Sequence, residues 1–125
     1  MPERDSDPGQ PERWAASGGD SASLKLDIPA ALQRERTFEI ACLMRVKALD
    51  GAKAPWHGMR VLANGELQWQ RRITTDHPAP FDGLEYRFRR SVAPGRALRL
   101  QADSQCGEAR RLALTIEAEE IRDGA

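Results

Sequence analysis

The sequence has 125 residues, 40% of them hydrophobic and 30% charged, with 19 basic and 19 acidic side chains and a formal net charge of zero. That length allows one core and leaves no room for a second, because domains commonly hold roughly 100 to 150 residues. The balance excludes a disordered polyelectrolyte, and no apolar run approaches the roughly 18 residues needed to cross a bilayer, so a soluble globular protein without a membrane partner is expected.

The start, Met1-Pro2-Glu3-Arg4-Asp5, lacks the basic opening and apolar stretch of a secretory signal, which makes the cytoplasm the expected location. Residues 1–22 hold Pro2, Pro8, Pro11, Gly9, Gly18 and Gly19 among Asp, Glu and Ser, with Trp14 the single large apolar side chain. Such a stretch cannot offset its ordering entropy by burial. It is read as a disordered tail, acidic on balance, in front of a weakly basic folded domain over residues 23–122.

From Ser23 onward apolar residues recur at every second position, the period that sends alternate side chains to one face of a sheet. Leu24, Leu26 and Ile28 open the pattern, and one or two helical turns are expected over Ala30 to Arg36, after Pro29. Phe38, Ile40, Cys42, Met44, Val46 and Ala48 then form a long strand that stops at the turn-forming pair Asp50-Gly51. Met59, Val61 and Ala63 follow. Asn64-Gly65, both tolerant of positive φ, predicts a hairpin returning through Leu67, Trp69 and Ile73.

Leu84, Tyr86, Phe88 and Val92 make the next strand, which ends at a type II turn over Pro94-Gly95. Leu98, Leu100 and Ala102, then Leu112, Leu114, Ile116 and Ala118, complete the set. About seven strands in about 100 residues, each with one apolar face, predict an all-β, small antiparallel two-sheet β-sandwich, immunoglobulin-like or jelly-roll; a closed β-barrel is the rival.

Two features depart from clean alternation. Arg71 and Arg90 occupy positions that their strands otherwise give to the core, and a β-bulge within Arg71-Arg72 or Arg89-Arg90 would return them to solvent. Ala41, Leu43 and Leu49 lie on the outer side of the long strand, to be covered either by the Pro29–Thr37 connection or by another subunit.

If successive strands run antiparallel, chain direction sorts the connections between the two ends of the domain. The tight turns Asn64-Gly65 and Pro94-Gly95 fall at one end. Asp50 to Gly58, Thr74 to Gly83 and Ser104 to Ala109 fall at the other, and nearly all the chemical variety converges there. The candidate ligand-binding residues are therefore Trp56, His57, Asp76, His77, Phe81, Asp82, Gln105 and Glu108, with Arg60, Arg72 and Arg111 adjoining. Trp56 and Phe81 serve either as platforms for a ligand or as plugs over the core.

No catalytic residue is assigned, because neither a G-x-S-x-G elbow nor a phosphate-binding glycine loop occurs. His57, His77, Asp76 or Asp82, and Cys106 have the donor types of a zinc site without its spacing, so no metal and no cofactor is expected. Cys42 reads as a buried thiol, and a bridge to Cys106 has no support from the sequence. A near-neutral body with Tyr86 and Phe88 on the opposite face from Arg87 and Arg89 argues against nucleic acid.

The functional expectation is a non-enzymatic recognition module that binds a saccharide or other polar small ligand at the long-loop end, with the sugar stacked on Trp56. The alternative is a structural or assembly protein that meets itself or a larger protein partner through the apolar strand face, with Trp14 in the tail as a docking residue.

Overall fold

The period-2 pattern becomes eight strands in the computed structural model, which describes residues 10–77 and 79–122. They are β1 (Arg13–Ser17), β2 (Ser23–Ile28), β3 (Arg36–Ala48), β4 (Trp56–Ala63), β5 (Glu66–Thr74), β6 (Asp82–Val92), β7 (Leu98–Gly107) and β8 (Ala109–Ile121). Two four-stranded antiparallel sheets result, ordered β1-β8-β3-β6 and β2-β7-β4-β5. Of the consecutive strands only β4 and β5 pair with each other. Every other connection crosses between the sheets, which is the double Greek key of a jelly roll rather than an immunoglobulin arrangement or a closed barrel.

Leu26, Ile28, Phe38, Ile40, Met44, Val61, Leu98, Leu100, Leu114 and Ile116 fill the space between the sheets. These are the inward residues of the alternation, and each large aliphatic side chain buried there contributes about 1.5–3 kcal/mol. Asn64 and Gly65 take φ of 49° and 80° in the β4–β5 hairpin, as their tolerance of the left-handed region requires. Gly95 has a φ of 77°, and the Arg96 N–H donates to the Ala93 carbonyl, closing the expected turn.

Five expectations need correction. Strand β1 falls inside the segment read as a tail, paired with β8 from Arg13 opposite Glu119 to Ser17 opposite Thr115; residues 1–9 lie outside the described residues. Trp14 belongs to β1 and packs against the core instead of projecting from a tail. No helix forms over Ala30 to Arg36, where a single turn at Leu32 and Gln33 suffices to link strands in opposite sheets.

The bulges also lie elsewhere. One falls between Val61 and Leu62, making Gln68 the extra residue of β5. The other falls between Arg45 and Val46, making Leu112 the extra residue of β8, so Leu112 is 39% exposed and Arg111 takes the inward position opposite Val46. Arg71 and Arg90 therefore keep their inward parity, opposite Met59 and Phe38. They reach solvent because β5 and β6 are edge strands, where the sandwich stands open. Trp69, Tyr86 and Phe88 line the same seam as a stacked ladder, with centroids 4.8 and 5.4 Å apart.

The fifth correction concerns the outer apolar positions. The chain after Pro29 packs at the end of the sandwich, where Arg36 donates to the Pro29 carbonyl, and does not cover Ala41 and Leu43. Those two are half-buried in a face that also carries Arg13, Glu39, Arg87, Glu117 and Glu119. Among the described residues, no helix is long and apolar enough to cross a membrane.

Candidate functional site

The end expected to bind ligand is largely occupied by its own hydrogen bonds. His57, at the start of β4, is completely buried. A carbonyl only accepts, so Nε2 donates to Gly83 O at 3.2 Å, and this fixes the tautomer that lets Nδ1 accept from the Thr75 hydroxyl at 2.7 Å. His57 thus ties β4 to the loop before β6 and has no nitrogen left for a ligand or metal. Neither this role of His57 nor the burial of Thr75 carried a signal in the sequence, since both depend on a pairing across 18 and 26 residues.

The acidic loop residues serve the backbone. Asp82 accepts from the N–H groups of Asp76 and Gly83, at 2.9 and 2.8 Å. Partial burial pushes its carboxyl up, but those two N–H groups and nearby His57 prevail and hold it below the ordinary range. Glu108, at φ 52° in the tight turn between β7 and β8, accepts from the N–H groups of Lys53 and Ala54. The expected loop from Ser104 to Ala109 is in fact strand except at this turn. Asp76 and His77 are exposed, as is Phe81 at 51%, with the Arg45 guanidinium 5.2 Å from its ring centre.

Trp56 is half-buried. Its five-membered ring lies so close to Gly107 that a Cβ there would stand 2.1 Å from Nε1, so only glycine fits. The Arg72 guanidinium covers its indole at 3.5 Å from the ring centre. The place where a sugar was expected to stack is taken. Cys42 and Cys106 are both free thiols; burial pushes Cys42 up to about 12, which leaves it inert at neutral pH. Among the described residues, no group of three His, Cys, Asp or Glu side chains converges as metal ligands do.

An open site lies beside this end, across the β2-β7-β4-β5 sheet. It is a groove of about 760 Å³ lined by Ser23, Gly58, Arg60, Gln70, Arg71, Arg72, Asp103, Gln105 and Arg111, among others. Strand pairing explains the assembly. Ser23, Asp103, Arg60 and Gln70 form one row across the sheet, and Gln105, Gly58 and Arg72 form the next. Gly58 leaves the middle of the second row bare: a Cβ there would press on the Arg71 carbonyl at 3.0 Å. A smaller depression of about 230 Å³ on the opposite sheet is lined by charges of both signs, with Arg13 and Arg87 beside Glu39, Glu117 and Glu119.

The polar partners in the groove are partly committed. Asp103 accepts from Ser23, Gln101 and Arg60. Burial pushes its carboxyl up, but these donors and the Arg60 charge leave it below the ordinary range. Arg111 reaches in from β8 and donates to the hydroxyl and carbonyl of Ser104 at 2.9 and 3.1 Å. Of the residues expected to bind ligand, the groove lining thus gathers Arg60, Arg72, Gln105 and Arg111 and leaves Trp56, His57, Asp76, His77, Phe81, Asp82 and Glu108 outside. Gln70 was missed as a site residue, since the β5 alternation alone does not show that the sheet's outer face holds a groove, whereas Arg71 joins the lining from its inward position on the edge strand.

No family model and no curated protein matches the chain. Among solved structures it is similar to the dimeric latent PorU of Porphyromonas gingivalis, with a TM-score of 0.47 and 16% identity over 88% of this chain and 11% of that one. It is also similar to the mosquito-larvicidal Cry4Aa toxin of Bacillus thuringiensis, with a TM-score of 0.48 and 11% identity over 89% of this chain and 19% of that one. The chain therefore spans a small fraction of either protein.

Proposed function

We propose that this chain is a non-enzymatic recognition module that holds a saccharide in the groove over Gly58. The observation that carries the proposal is the groove itself. It is about 760 Å³, within the range of roughly 300–1,000 Å³ common for small-ligand sites, and its walls carry polar side chains on a rigid sheet. The side-chain amides of Gln70 and Gln105 have no partner among the described residues, and each offers both a donor and an acceptor to sugar hydroxyls. A reducing compartment such as the cytoplasm suits the two free cysteines and belongs to the same proposal.

A glycan panel titrated by calorimetry, with solution mass measured alongside, tests this reading. A monomer that binds a glycan, and loses about tenfold in affinity on joint Gln70→Ala and Gln105→Ala substitution, supports it. A stable oligomer indifferent to every glycan overturns it in favour of an assembly role.

A further inference from the structure

We propose that the groove selects an acidic saccharide, with a uronate carboxylate received by Arg72; this rests on the recognition reading above and adds the ligand's charge. Four guanidinium groups, Arg60, Arg71, Arg72 and Arg111, line the groove against the single carboxylate of Asp103. That carboxylate is already shared by Ser23, Gln101 and Arg60. Arg71 and Arg72 have no acidic partner among the described residues, so the groove is left with uncompensated positive charge.

Geometry makes Arg72 the specific receptor. Its guanidinium rests over the Trp56 indole at 3.5 Å from the ring centre, and the indole is itself fixed against Gly107. Gly58, opposite Arg72 in the ladder, has no side chain to stand between the arginine and the tryptophan. Stacking occupies the face of a guanidinium and leaves its N–H edges free, and two parallel N–H groups match the two oxygens of a carboxylate. The side chain is thus held in place before the ligand arrives, which reduces the ordering entropy lost on binding. Gln105 shares the row of Arg72 across Gly58 and Gln70 stands two residues along β5, so both amides are on the face where a bound sugar would offer its hydroxyls.

The test compares an oligogalacturonate with its carboxyl-reduced neutral counterpart by calorimetry at two salt concentrations, using the wild-type chain, Arg72→Gln and Arg72→Lys. Arg72 is exposed, so its substitution is expected to leave the fold intact, with circular dichroism of each variant as the check. The uronate is expected to bind about tenfold more tightly than the neutral sugar, with the advantage shrinking at high salt. Arg72→Gln removes that advantage. Arg72→Lys loses most of it, since an ammonium neither forks nor stacks in the same way.

Equal affinity for uronate and neutral sugar overturns the acidic-ligand inference and leaves the recognition module standing. A preference that survives in Arg72→Lys, or that passes to sulfated sugars, overturns the carboxylate receptor. Absence of binding to any saccharide by the folded chain removes the recognition reading itself.

Discussion

Two groups of arginines sit in this molecule under opposite conditions. At the end of the sandwich bearing the tight turns, Arg36 is 2% exposed and meets Glu12, which like Glu120 is nearly buried. Arg36 donates to Glu12 at 3.0 Å, and Arg34 bridges Glu12 and Glu120. Glu120 also accepts the Glu12 N–H, and Trp14 Nε1 donates to Glu12, so this knot ties β1 to β8. In the groove, Arg71 and Arg72 are exposed and lack acidic partners among the described residues. Buried arginines must be matched by carboxylates to exist at all. Exposed ones can be left unmatched, and only these are available to a ligand.

The largest effect that sharpens this contrast comes from Glu12→Ala. It strands Arg36 in the interior, and urea unfolding should show a loss of about 3–5 kcal/mol, the range for breaking a buried pair by removing one partner. Acid should act next. Burial pushes the Glu120 carboxyl up, but the Arg34 bond, the Glu12 N–H and nearby Arg122 together hold it below its ordinary 4.5. Its contribution is therefore complete above about 4.5 and is lost as pH falls through the lower folded value. Thermal unfolding should decline over that acidic window, and Glu120→Gln should flatten that part of the curve.

The smallest effect belongs to the groove. Arg72→Ala should change stability by no more than about 1 kcal/mol, the scale of an exposed cation–π contact, while shifting Trp56 emission as the indole loses its cover. A large destabilisation there would break the contrast, for it would make Arg72 part of the fold's support.

How much of this was legible varies by element. Seven strands and the Asn64-Gly65 hairpin could be read directly, because alternation and positive-φ tolerance are local properties of neighbouring residues. Strand β1 could not. Arg13-Trp14-Ala15-Ala16-Ser17 has a weak apolar face, and what holds it is a partner strand about a hundred residues away together with an ion cluster drawn from three parts of the chain. The site was half legible for the same reason. Arg60, Arg72, Gln105 and Arg111, read as candidates at the long-loop end, line one groove across the sheet instead.

What the sequence determined by itself was the class of element, the two-sided pattern, the position of the sharpest turn and the absence of familiar catalytic motifs. Which strands lie side by side was decided only by the tertiary structure, and with it the fate of each polar group. His57 became an internal strut, Trp56 a support for Arg72, and Glu12 the counterion of a buried arginine. Side-chain direction follows a period of two along the chain. Pairing across sheets instead depends on which inward surfaces and charges fit one another in space, and no local period encodes that.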